Sequence, residues 1–193
     1  MFRDATFTEE LSANCAQDDL PHWAQSHAMD ETTFEEFYAE TARSLWLYIR
    51  RVSGSAELAD DLLQESFFRL LRAPRSHTRE VHLKSYLYKI ATNLIHDHRR
   101  GARREAFWRL RLPTREEAYE DSSLDSDTLR TFAKLKPQER ALLWLAYVEG
   151  YEHREIAHVM ELAEKSVRVL LFRARRKLAH NLEQKGIKAE VAL

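Results

Sequence analysis

Apolar residues recur at three- and four-residue spacing along most of this chain, the period of helices that each bury one face. Phe34, Phe37, Tyr38, Thr41, Leu45, Tyr48, Ile49 and Val52 trace one such stripe, which should end near Gly54. Ser55 stands where a helix N-cap belongs, ahead of an inward set made of Ala59, Leu62, Leu63, Phe67, Leu70 and Leu71. Pro74 closes that region, and a polar connection runs from Ala73 to Val81. A third stripe follows, Leu83, Leu87, Ile90 and Leu94, with Tyr86, Ala91 and Ile95 beside it. None of the three faces can be buried alone, so the pattern predicts one small bundle.

The second half carries a different pattern. Leu124 to Leu135 reads as a helix stopped by Pro137, and Gln138 to Val148 as another stopped by Gly150. A short helix from His153 to Met160, a tight connection and a longer helix from about Glu164 to Leu182 complete it. On the last helix Val167, Leu171, Ala174 and Leu178 share one side, while Lys165, Val169, Phe172, Arg173 and Arg176 point away from it. A short helix, a turn and a long helix with an arginine-studded outer face is the helix-turn-helix pattern. Thr114 to Asp127 is rich in acids and small polar residues and has no stripe, which fits a flexible tether. The predicted fold is all-α: two small helical domains joined by a flexible acidic linker, the second containing a helix-turn-helix. The expected divisions are an acidic extension over 1–30, a first domain over 31–111, a linker over 112–128, a second domain over 129–184 and a tail over 185–193.

Composition sharpens this in three ways. The 193 residues include only four glycines and four prolines, which disfavours a strand-rich fold. A single cysteine, Cys15, excludes an intrachain disulfide and any Cys-rich zinc module. The formal charge of -1 excludes a uniformly basic nucleic-acid coat, so the distribution of charge carries the information. Residues 1–40 hold ten acids and one strong base, Arg3; residues 99–111 hold six arginines and one acid; residues 165–177 hold six bases and no acid. Two basic blocks separated by an acidic spacer point to two polyanion-facing surfaces. No apolar run approaches the length of a membrane span, and the start lacks the features of an export signal, so a soluble, cytoplasmic protein without membrane insertion is expected.

Three stretches, in order, carry a resemblance. Residues 59–67 (ADDLLQESF), residues 86–100 (YLYKIATNLIHDHRR) and residues 151–158 (YEHREIAH), the last followed by Ser166-Val-Arg168 and Arg173 to Leu178, resemble those of a bacterial sigma factor of the extracytoplasmic-function group. The likeness spans about residues 31–184. It implies a transcription initiation factor that binds core RNA polymerase, recognises promoter elements and promotes DNA melting, with an anti-sigma factor as a further partner. By the same resemblance, the face made of Asp60, Asp61, Gln64 and Glu65 docks on the coiled coil of the largest polymerase subunit. The downstream promoter and melting set is Arg75, His77, Arg79, Asn93, His98, Arg99, Arg100, Arg103 and Arg104. The upstream promoter set is Lys165, Ser166, Arg168, Val169, Phe172, Arg173 and Arg176. An arginine on that helix can read guanine or hold phosphate, and Phe172 can meet either DNA or a neighbouring helix.

The chain also departs from the family. Glu161 and Ala163 occupy the turn where glycine and a capping hydroxyl are usual, predicting a non-glycine turn geometry and the loss of a cap worth about 1 kcal/mol. Leu170 replaces a basic residue, and Tyr86 stands where tryptophan is frequent. No enzyme is expected, nor any cofactor or metal, because the nine histidines form no recognised ligand spacing and adjacent Asp60 and Asp61 diverge by about 100° on a helix. The alternatives are a helix-turn-helix regulator without polymerase binding and a sigma-like decoy that does not initiate transcription. Asp60 to Glu65 argues against the first, and the arginines from Arg99 to Arg104 argue against the second.

Overall fold

The computed structural model describes residues 31–73, 80–108 and 127–187. Among them every regular element is an α-helix: α1 (Glu31–Ser53), α2 (Ala56–Arg72), α3 (Glu80–Trp108), α4 (Asp127–Ala133), α5 (Pro137–Tyr147), α6 (His153–Met160) and α7 (Glu164–Glu183). The tether expected between Thr114 and Asp127 lies almost entirely outside the described residues, as do the acidic extension and the last six positions of the tail.

In the first bundle, α1 buries Thr41, Leu45, Tyr48, Ile49 and Val52 against α2 and α3. Gly54 ends it with a left-handed φ of 95°, and the Ser55 hydroxyl accepts from the Leu58 N–H at 3.1 Å, so the expected stop and cap are both present. On α2 the inward set is narrower than the pattern predicted. Ala59, Leu62, Phe67 and Leu70 are buried, but Leu63 is half-buried and Leu71 is 45% exposed. At 100° per residue Leu71 has rotated past the contact that holds Leu70.

α3 is buried on more than one side. Leu83, Leu87 and Leu94 of the expected stripe are buried together with Ala91, whereas Ile90 is only half-buried, and Ser85, Tyr88, Thr92 and Ile95 form a second stripe roughly a third of a turn away. The second stripe is polar yet satisfied. The Thr92 hydroxyl donates to the Tyr88 carbonyl at 2.7 Å and therefore accepts from the Tyr48 hydroxyl, also at 2.7 Å, while the Tyr88 hydroxyl donates to Ser44 at 3.2 Å. Burial pushes both tyrosine hydroxyls well above the ordinary tyrosine range, outweighing the lowering by Thr92 and Ser44, so they remain neutral donors.

The second bundle forms around α7. Pro137 does not stop the preceding helix as predicted: α4 ends at Ala133, and Pro137 is the first residue of α5, where its missing N–H and fixed φ cost nothing. The Glu139 carboxylate accepts from the Lys136 N–H at 2.7 Å and meets Lys177 of α7 at 2.8 Å, tying both helices together at one acid. Gly150, at φ 71°, turns the chain from α5 towards α6. Glu161 takes the left-handed conformation as well, at φ 53° and ψ 45°, so the turn keeps the glycine-type geometry with a side chain attached, contrary to expectation. Ala163 makes no side-chain cap to α7, as its identity required.

The two bundles pack on each other, α6 against α3 and α5 against α1, and one continuous apolar cluster runs through both. Nothing in the hydrophobic periodicity had indicated this apposition.

Two outcomes test this packing by urea denaturation. Tyr48→Phe should lose about 1 kcal/mol, the worth of one buried hydrogen bond. Glu139 is held below its ordinary value of 4.5, since hydrogen bonds from Lys177 and the Lys136 backbone outweigh the raising effect of burial. Its stabilising contribution is therefore complete above about pH 4.5 and lost as pH falls through the lowered value. Glu139→Gln should cost about 1 kcal/mol at pH 7, with the gap to the unaltered chain closing as pH falls through the lowered value.

Candidate nucleic-acid interface

α2 presents Asp60, Asp61 and Gln64 to solvent and Glu65 half-exposed, on the side opposite its buried leucines. Asp60 accepts from the Trp46 indole N–H at 2.7 Å, and Glu65 pairs with Arg69 at 2.7 Å one turn on. The first bond fixes the orientation of one carboxylate. Beside the acids lies a shallow depression between α1 and α2 lined by Ala42, Arg43, Trp46, Leu47 and Leu63. Phe68 and Leu71 are exposed further along, with the Arg72 guanidinium 4.2 Å from the Phe68 ring centre. Leu71, expected in the core, thus extends this apolar surface instead. An exposed apolar and acidic surface of this kind suits a protein partner better than a phosphate backbone.

Asn93, Arg100 and the unpredicted Lys89 fall four and seven residues apart on α3 and share a face. Asp97 and His98 are exposed, Arg99 is half-buried, and Arg100 is exposed 3.7 Å from Asp97. Arg103 and Arg104 fall within α3, while Arg75, His77 and Arg79 lie outside the described residues. His96, half-buried between the arginines, is lowered by burial first and then by Arg99 and Arg100, so it is neutral at pH 7. Asn93 is half-buried: its side-chain amide donates to Glu161 at 3.5 Å, and Lys89 pairs with the same carboxylate at 3.3 Å. Those two hydrogen bonds hold the Glu161 carboxyl below its usual range.

The outer face of α7 is close to its sequence reading. Lys165, Arg168, Val169, Phe172, Arg173 and Arg176 are exposed and Ser166 half-buried, whereas Val167, Leu171 and Ala174 are buried against α5 and α6. Phe172 at 56% exposure and Val169 at 48% are therefore not packing residues. An apolar pair flanked by Lys165, Arg168, Arg173 and Arg176 on one helix has the chemistry both to neutralise phosphate and to pack on a thymine methyl or a sugar. Arg175 points elsewhere and donates to the Tyr147 hydroxyl at 3.3 Å. Among the described residues no group of acids, histidines or cysteines is placed to hold a metal, and no helix is long and apolar enough to cross a membrane.

Residues 37–105 match sigma-70 region 2, and residues 127–178 match sigma-70 region 4. The chain belongs to the sigma-70 family of transcription initiation factors, which are not enzymes. Within that family it is a sigma factor of the extracytoplasmic-function (ECF) group. It is 28% identical to the ECF RNA polymerase sigma factor SigE of Mycolicibacterium smegmatis, over 91% of this chain and 67% of that one. It is also 28% identical to the ECF RNA polymerase sigma factor SigL of Mycobacterium tuberculosis, over 83% and 94%. The fold is shared with the sigma factor RpoE of Bartonella quintana, solved with the anti-sigma factor NepR, at a TM-score of 0.64 and 20% identity over 78% of this chain and 96% of that one.

The exposure pattern on α7 separates stability from surface chemistry. Arg173→Ala and Phe172→Ala should each leave urea-unfolding stability within about 0.5 kcal/mol of the unaltered chain. Leu171→Ala, one residue from Phe172 but buried, should cost about 2–4 kcal/mol in the same measurement.

Proposed function

We propose that this sigma factor divides its work between two domains, residues 31–111 and residues 129–184, joined by the acidic segment 112–128. The first docks on core RNA polymerase through Asp60, Asp61, Gln64 and Glu65 and opens promoter DNA. Asn93, His98, Arg99, Arg100, Arg103 and Arg104, with Arg75, His77 and Arg79 of the preceding connection, hold the separated strand. Melting costs a few kcal/mol of unstacking and unpairing, which basic and polar contacts to single-stranded DNA offset. The second domain sets α7 in the major groove of the upstream element through Lys165, Ser166, Arg168, Val169, Phe172, Arg173 and Arg176. An anti-sigma factor covering the apolar and acidic face of α2 would compete with polymerase, in a cytoplasmic setting.

The observation that carries this reading is the outer face of α7, where an exposed Phe172 and Val169 are set among Lys165, Arg168, Arg173 and Arg176. Exposed aromatic and aliphatic groups between cations are costly in water and suited to a groove.

Run-off transcription with purified bacterial core polymerase on genomic DNA from the source organism tests it. Added chain should produce specific starts sharing an upstream sequence; core binding without new starts would instead mark a decoy. Replacing both Arg173 and Arg176 with alanine should weaken duplex binding and reduce the slope of log affinity against log salt by about 2, one unit for each phosphate no longer neutralised. An unchanged slope would remove both residues from the DNA face.

A further inference from the structure

The acids of the α2 face are held in different ways. Glu65 pairs with Arg69 one turn on, at 2.7 Å, so a cation of its own helix already answers its charge. Asp60 is held by a neutral group from another helix. The Trp46 indole N–H donates to Asp60 Oδ1 at 2.7 Å, across the seam between α1 and α2. A bond of that length to an ionised acceptor is among the stronger hydrogen bonds. It orients the carboxylate without placing a charge beside it, and Oδ2 keeps its own capacity to accept from a further donor. Nothing in the motif of residues 59–67 marks Trp46, which lies fourteen positions before Asp60 on the neighbouring helix.

The donor is itself fixed. Arg50, one turn along α1, sets its guanidinium carbon 5.1 Å from the centre of the Trp46 ring, a cation–π contact. The same ring lines the depression between α1 and α2 beside Leu47 and Leu63. Contacts at the face and at the N–H edge of one ring restrict both of its side-chain torsions. Asp60 is exposed, and an exposed aspartate without such a partner samples several rotamers. A binding partner that needs one of those rotamers bears the cost of ordering it, and a side chain ordered beforehand removes that cost.

We propose that Trp46 is a positioning residue for docking on core RNA polymerase: by holding Asp60 Oδ1 it presents Oδ2, already oriented, to a basic side chain of the polymerase. The proposal rests on the docking role given above to Asp60. Trp46 acts through Asp60 and contributes the ordering done before contact. Register depends on it too. Asp61 and Glu65 lie one turn apart, so a partner reading only those two acids could bind one turn out of place. One turn beyond Asp60 stands Gln64, which carries no charge, so an oriented Asp60 marks a single register.

The test titrates the full chain, labelled at its single cysteine Cys15, with purified bacterial core polymerase. The indole N–H signals of the free chain are followed separately by NMR. Trp46→Phe keeps an aromatic face beneath Arg50 and removes the N–H; urea unfolding should show it still cooperative, and the signal it lacks identifies Trp46. Asp60→Ala should move that signal upfield, whereas Asp60→Asn, which still offers a carbonyl oxygen, should move it less. Trp46→Phe should weaken core binding about two- to ten-fold, the range for one side chain no longer ordered in advance. Asp60→Asn, which leaves the packing of Trp46 alone, should weaken it at least as much. In an Asp60→Ala background Trp46→Phe should change the affinity less than two-fold, a coupling that an independent structural role would not produce. An indole signal indifferent to Asp60→Ala, or a Trp46→Phe effect that is absent or equal in both backgrounds, would overturn the proposal. Asp61→Ala separates the two readings. If it and Asp60→Ala weaken binding while Trp46→Phe does not, docking through α2 stands and the positioning role falls; if neither acid replacement weakens binding, both fall.

Discussion

The structure depends on α3 being buried on two sides. A helix with one apolar stripe can complete a three-helix bundle, but the second stripe, Ser85, Tyr88, Thr92 and Ile95, needs its own cover. That cover has to satisfy hydroxyl groups as well as exclude water, because a buried donor left unpaired costs more than a bond gained. The chain from Tyr48 through Thr92 to the Tyr88 carbonyl, and from the Tyr88 hydroxyl to Ser44, meets the requirement inside the first bundle. Tyr151, coming from the second bundle, closes the other side of Tyr88. A single helix thus supplies core to one domain, a seat for the other, and side chains proposed to hold DNA.

This sharing explains which features were legible in the sequence. Elements with one buried face were read well: the stripe of α1, the Ser55 cap, the boundaries of α6 and the buried side of α7 at Val167, Leu171 and Ala174. Their signals are local, set by period and capping chemistry. The outward residues of α7 were legible for the same reason, since the positions not required by the core are the ones free to carry Phe172 and the arginines.

What stayed hidden is non-local. Periodicity shows that Tyr88 and Thr92 lie on a face but not what covers it, so the packing of α6 on α3 left no trace in the pattern. Nothing near Lys89 in the sequence marks its pairing with Glu161, which lies far along the chain. Pro137 was misread because a proline can end one helix or begin the next, and only the backbone shows which role it fills. Leu71 was misread because a leucine beside a core leucine fits the binary pattern, although one step of about 100° carries it out to solvent.

The separation of duties on α7 has an evolutionary consequence. The residues that anchor the helix, Val167, Leu171 and Ala174 with the Glu139 tie to Lys177, are not those proposed to enter the groove. Mutation can therefore rewrite the outer surface with little penalty in folding, and lineages can diverge in the DNA they prefer while inheriting the same scaffold. Drift in regulatory specificity is cheap here, and the architecture sets few limits on how far it can go.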